Sequence, residues 1–261
     1  MSLDSTQQSI INSLDGEDAE LYPFLPYLLQ DFWELGTPSS VIIELIRKNS
    51  VQTKFSPLKV LDLGCGKGAV SIPLARKFNA QVIGIDALPE FIDEAKRKAK
   101  EFQVEEMVEF RVGDIRELIS FYSEFHFVIL NSIGPVLGDV GETLTKVSRC
   151  LISRGYVIID DGFIPDEVDF THPDCLKEKE YYEKITKSGF VIIDSKEYQS
   201  EEIKVSNEYM YSLIVDRADE LSLKFPDKRN LFEGYLKNQR DENYYLENKI
   251  KCITLLLQKK D

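Results

Sequence analysis

Gly64, Gly66 and Gly68 alternate with other residues in Asp62-Leu63-Gly64-Cys65-Gly66-Lys67-Gly68, directly after the apolar Val60-Leu61. Glycines at that spacing let a chain turn sharply at a strand end and approach a ligand where a Cβ would collide, and Ala69 to Ile72 then open a helix. The acid ahead of the loop sets the charge of that ligand. A carboxylate at Asp62 repels a dinucleotide pyrophosphate and attracts an ammonium or sulfonium group. Two further acids end neighbouring runs. Asp86 closes Gln81–Asp86, eighteen residues beyond Gly68, where a carboxylate accepts from both hydroxyls of a ribose. Asp114 follows Val108 to Gly113, placed to accept from an amino group. Competing readings make Asp62 a cap of the following helix, and Asp114 with Arg116 the start of a solvated helix. Cys65 reads as a small filler of the turn, not a nucleophile. Lys67 does not mark a phosphate loop, since the spacing G-x-x-x-x-G-K-[ST] is absent.

With Phe127-Val128-Ile129-Leu130-Asn131 as a fourth run, these features in order resemble the class I S-adenosylmethionine-dependent methyltransferases of small-molecule type, over residues from about 57 to 200. The resemblance implies S-adenosylmethionine as cofactor. It implies that Gly64, Cys65, Gly66 and Gly68 wrap the methionine part and that Asp62 helps to hold its amino group. Asp86 would take the ribose, with Ala87 beside adenine and Gly113, Asp114 and Ile115 bordering the ring. Asn131 would lie near the methionyl amine and the transferred methyl. A catalytic role for Asn131 does not transfer with the fold.

Strand and helix patterns alternate along the chain at the spacing of βαβ units, and the strand runs are apolar throughout, as in a sheet covered on both faces. The expected fold is α/β: a Rossmann-like, doubly wound, seven-stranded sheet with a helical cap. Strands are expected at Val108 to Ile115, Phe125 to Leu130, Gly155 to Asp160, Phe190 to Tyr198 and Ile250 to Gln258, and helices at Val140 to Leu151 and Pro173 to Ser188. The expected organisation is an N-terminal helical lid over residues 1–50, a cofactor-binding core over 51–200, a helical hairpin over 201–248 and a final core strand over 249–261.

Two segments outside the shared core are candidates for choosing the methyl acceptor. The first is aromatic, with Tyr22, Tyr27 and Trp33 as pocket walls or, in the alternative, packing residues. The second is the hairpin, with Tyr211 and Gln239 as pocket candidates. Asn207 in one stripe, and Gln239 and Asn243 in the other, need partners and are expected to bond each other across the hairpin or to face a substrate. Asp161 joins the candidates as an acid after the fifth strand, although no general base stands out.

Thirty-two basic residues against 45 acidic give a net charge of −13, which repels a nucleic-acid backbone. The four cysteines form no C-x-x-C pair and only two histidines are present, so neither a disulfide framework nor a metal site is expected. No apolar run reaches about 18 residues, so a cytoplasmic protein, monomeric or homodimeric, without membrane or nucleic-acid partners is expected. The function expected is methyl transfer to a small molecule by in-line displacement. The alternatives are an RNA or protein methyltransferase, a non-catalytic cofactor-binding protein and a nicotinamide dehydrogenase.

Overall fold

β-branched and apolar runs form the strands, and the amphipathic stretches between them form helices that cover the sheet. The computed structural model describes residues 4–261. Its helices are α1 (Ser5–Ser13), α2 (Leu25–Leu28), α3 (Ser39–Lys48), α4 (Ser71–Phe78), α5 (Pro89–Glu101), α6 (Ile115–Leu118), α7 (Val140–Val147), α8 (Glu178–Lys187), α9 (Ser200–Lys224) and α10 (Arg229–Asn248). Its strands are β1 (Lys59–Leu63), β2 (Gln81–Asp86), β3 (Val108–Val112), β4 (Phe125–Asn131), β5 (Leu151–Phe163), β6 (Phe190–Glu197) and β7 (Lys251–Lys259). The chain divides into two compact units, one of residues up to Phe32 with Tyr198–Lys251, the other of Trp33–Glu197 with Cys252–Asp261. Residues 33–50 thus belong to the sheet unit.

The sheet runs β3-β2-β1-β4-β5-β7-β6. β1 pairs in parallel with β2 and β4, β2 with β3, and β4 with β5, while β7 runs antiparallel to β6. Alternate strand residues feed two cores. Val60, Val82, Phe127, Ile129 and Ile158 pack with side chains of α3, α4 and α5, and Leu61, Leu63, Val128, Leu130 and Val157 pack with those of α6, α7 and α8. The sheet is therefore wound on both faces, in agreement with the sequence pattern.

Several elements end elsewhere than the pattern suggests. The expected helix from Val140 to Leu151 stops at Val147, because Phe125 donates its N–H to the Cys150 carbonyl and Leu151 pairs with Phe125 as the start of β5. β3 stops at Val112: the Gly113 N–H bonds the Asp86 carbonyl, and Asp114 already caps α6. The helix expected from Pro173 begins only at Glu178, after the short bridges His172 to Cys175 and Ile164 to Lys177.

The other unit is helical. Phe24 meets Phe225 and Phe232 edge-on, with centroids 5.3 and 5.1 Å apart, above the fully buried Leu21, Leu25 and Leu28. Arg217 joins Asp31 to Glu220, which accepts from the Tyr27 hydroxyl at 2.6 Å. The hairpin amides do not pair with each other as expected. Asn207 donates to Glu247 at 3.0 Å, and Gln239 donates to Asp15 at 2.8 Å, because each finds a carboxylate, a stronger acceptor than an amide.

Ile129 lies in the central strand β4 with no exposed surface. Ile129→Ala is expected to lower the unfolding free energy by about 2–5 kcal/mol, measured by urea denaturation of the two proteins. A loss below about 1 kcal/mol would show that the sheet centre is not close-packed.

Candidate functional site

Strand register builds the site. Leu63 pairs with both Ile85 and Leu130, and Leu130 pairs with Ile159, so four buried apolar residues form one row across β2, β1, β4 and β5. The next residue on each strand is Asp86, Gly64, Asn131 and Asp160. At about 4.8 Å per strand, this second row puts two acids and an amide within about 15 Å along the carboxyl edge of the sheet. The apolar row below it is the floor that fixes their height.

Asp62 stands two residues before Gly64 and is 1 % exposed. Ser71, in the first turn of α4, donates its hydroxyl to the Asp62 carboxylate at 2.6 Å. No ion pair to Asp62 is present among the described residues. Burial, and secondarily the Asp86 charge, push the Asp62 carboxyl up to about 7, against the opposing Ser71 hydrogen bond.

Gly64, Gly66 and Gly68 all have left-handed backbone, with φ of 74°, 52° and 77°. Gly68 is required by packing, since a Cβ there would lie 2.8 Å from the Phe110 ring. Gly66 differs: a Cβ there would meet no protein atom within 4 Å, so its left-handed backbone and not packing accounts for glycine. The Gly66 N–H donates to one Asp86 carboxylate oxygen at 2.9 Å, and the Leu88 N–H to the other at 2.9 Å. Asp86 thus holds the loop closed, and with the Ala87 N–H also turned to it the carboxylate keeps room for one further donor. Burial raises the Asp86 carboxyl, offset in part by these N–H groups. Cys65 is buried and its Sγ packs beneath Gly84, where a Cβ would approach to 2.9 Å; burial first, then the Asp62 and Asp86 charges, push its thiol well up. That is the environment of an inert filler.

The remaining sequence candidates divide. Ala87 is half-buried beside Asp86, and the Gly113 N–H ties β3 to the Asp86 carbonyl at 2.9 Å. Asp114 accepts from the Arg116 N–H at 2.8 Å and pairs with its guanidinium, while Ile115 is buried in the second core. Asn131 donates its Nδ2 to the Thr37 carbonyl at 3.2 Å, and its Oδ1 is buried without a hydrogen-bond partner. Asp161 accepts from the Gly162 N–H at 2.8 Å and lies beside the Tyr181 hydroxyl; burial raises its carboxyl to about 6. Trp33 donates Nε1 to the Lys67 carbonyl at 3.0 Å, stacks on Phe102 and carries Lys98 over its ring. Tyr22, Tyr27, Tyr211 and Gln239 lie in the helical unit. There Tyr27 and Gln239 are bonded to Glu220 and Asp15, the Tyr211 hydroxyl is buried without a partner, and Arg240 lies 5.0 Å from the Tyr211 ring centre.

Sequence reasoning missed Thr37, Ser71 and the hydroxyl partners of Asp160. The Asp160 carboxylate accepts from the hydroxyls of Thr37 (2.7 Å), Thr254 (3.0 Å) and Ser132, and from the Thr37 N–H at 3.3 Å. Only the acid at a strand end was visible in sequence; the hydroxyls come from segments 28, 94 and 123 residues away.

A family model described as a methyltransferase domain matches residues 54–217. The chain belongs to this family, the class I S-adenosylmethionine-dependent methyltransferases. Among curated proteins it is 33% identical over 102 residues to the ubiquinone biosynthesis O-methyltransferase of Azorhizobium caulinodans, covering 39% of each chain. It is 34% identical over 121 residues to that of Cereibacter sphaeroides, covering 46% of this chain and 47% of the relative. The matches thus span less than half the length of these curated relatives. A solved methyltransferase from Geobacter sulfurreducens, in complex with S-adenosylhomocysteine, shares the fold with a TM-score of 0.72 at 18% identity, over 91% of this chain and 98% of that one.

Asp62 gives the site a pH dependence. Its folded-state carboxyl lies above the ordinary 3.8, so its contribution to stability is fully present below pH 3.8 and is lost as pH rises through about 7. Melting of the ligand-free protein is expected to show Tm falling from about pH 5 to about pH 8, with a flatter fall in Asp62→Asn. Equal slopes in the two proteins would show that Asp62 ionises normally.

Proposed function

We propose that this chain binds S-adenosylmethionine at the carboxyl edge of the sheet and transfers its methyl group to a small-molecule acceptor. The observation that carries the reading is the buried Asp62 carboxylate, raised to about 7 with no cationic partner among the described residues, beside a loop whose Gly66 faces no protein atom. A cationic ligand supplies what Asp62 lacks, and the cofactor carries both an ammonium and a sulfonium. The residues present fit it: Asp86 keeps room to accept from a ribose hydroxyl, and Asn131 offers a buried carbonyl oxygen.

When bound, S-adenosylmethionine supplies an electrophilic methyl on sulfur. The protein's share is to orient, to exclude water and to manage charge. Asp62 and Asn131 hold the amino-acid end, Gly66 allows close approach, and Asp86 orients the ribose while closing the loop. Ala87, Gly113, Asp114 and Ile115 border the adenine. Asp161, whose carboxyl burial raises to about 6, is the acid proposed to take a proton from an acceptor hydroxyl or amine.

The small-molecule acceptor is supported by the strongly acidic chain, which disfavours nucleic acids, and by relatives named for O-methylation in ubiquinone biosynthesis. A hydroxyl-bearing metabolite is the first class to screen. No helix among the described residues is long and apolar enough to cross a membrane, in keeping with a cytoplasmic site of action as part of this proposal.

Calorimetric titrations with S-adenosylmethionine, S-adenosylhomocysteine and NAD, run in parallel, test the reading. The two sulfur nucleosides are expected to bind with Kd of about 1–100 µM, roughly −8 to −5.5 kcal/mol, and NAD not to bind. Binding of NAD alone would replace methyl transfer with nicotinamide chemistry.

A further inference from the structure

The strap from Trp33 to Thr37 begins at the glycine loop, where Trp33 Nε1 bonds the Lys67 carbonyl, and ends at β4 and β5. Between these two anchors the chain bends at Trp33, Gly36 and Thr37 as it passes the edge that carries Gly64, Asn131 and Asp160. Gly36 lies so close to Ser132 that a Cβ would stand 2.3 Å from its Oγ.

At its far end the strap meets a buried amide with one satisfied side. Asn131 Nδ2 donates to the Thr37 carbonyl at 3.2 Å, and Oδ1 is buried and accepts nothing. The amide cannot be turned over, because that would set its oxygen against the Thr37 carbonyl oxygen. Its orientation therefore depends on where Thr37 stands. Thr37 is held by Asp160 through both its hydroxyl and its N–H, and its hydroxyl also lies 2.9 Å from that of Thr254. Asp160 itself is saturated by hydroxyls and so acts as an anchor, not as a ligand group. Asp62 and Asn131 sit on adjacent strands and on the same face of the sheet, one offering a carboxylate and the other a bare carbonyl oxygen. A primary ammonium satisfies both.

We propose that Thr37 and Asp160 are positioning residues that aim the Asn131 side-chain oxygen at the ammonium of the bound cofactor. The proposal rests on the cofactor reading above and deepens it.

The test uses two probes on the whole chain: S-adenosylhomocysteine, and 5′-methylthioadenosine, which has the adenosine and the thioether but neither ammonium nor carboxylate. Thr37→Val removes the hydroxyl at nearly constant shape, and Thr37→Ser restores it. Thr37→Val is expected to weaken S-adenosylhomocysteine about tenfold or more while leaving 5′-methylthioadenosine within about twofold, and Thr37→Ser to return the ratio to that of the unaltered protein. Asp160→Asn is expected to show the same selective loss, and it replaces Thr37→Val if that variant does not melt cooperatively. Parallel weakening of both probes would reduce Thr37 and Asp160 to general structural residues and overturn the proposal, as would no change in either. Failure of the unaltered protein to bind S-adenosylhomocysteine would instead overturn the cofactor reading and this proposal with it.

Discussion

A carboxylate buried at the end of β1, with no cationic partner among the described residues, is the constraint around which the sheet unit is organised. Asp62 is 1 % exposed, its hydrogen bond from Ser71 opposes burial only in part, and its carboxyl stands near 7. A buried acid in that state is unfavourable for the ligand-free fold and favourable for any ligand that brings positive charge to it. The same logic extends to Asn131, whose buried oxygen is bare, and to Asp86, whose oxygens bind backbone N–H groups and keep capacity to accept more.

Register in the parallel sheet turns these separate groups into one site. Because Leu63, Ile85, Leu130 and Ile159 form a single buried row, the residue after each is delivered to the same height at the carboxyl edge. A slip of one residue in any pairing would turn the polar group to the opposite face and bring an apolar one to the edge. The core therefore specifies the chemistry twice, once by holding the strands together and once by choosing which residue emerges last. The Asp160 knot then fastens the strap to that edge from outside the sheet.

The local part of this arrangement was legible in sequence. The glycine spacing, the acids at 62 and 86 and the apolar strand runs announced a doubly wound sheet and a cationic ligand, because backbone shape and charge are written directly in residue types. What depended on long-range pairing was not legible. Nothing in the neighbourhood of Thr37 announces that it meets Asp160 123 residues later, and nothing near Gln239 points to Asp15. The boundary at Val147 was missed for a related reason: the apolar residues Cys150 and Leu151 continue a helical pattern, and only the pairing with Phe125 makes them strand. Trp33, read as a pocket wall or a packing residue, packs on Phe102 and is tied to the glycine loop itself.

On this reading Asp62 is protonated part of the time in the free protein and gives up that proton when a cationic ligand binds. Calorimetric titration of S-adenosylhomocysteine near pH 7, repeated in buffers of different ionisation heat, reads that proton directly. With the carboxyl near 7, about half of a proton is expected to be released per ligand bound, and Asp62→Asn should abolish the release. Binding with the same apparent heat in every buffer would contradict the account, because it would mean that Asp62 is already ionised before the ligand arrives.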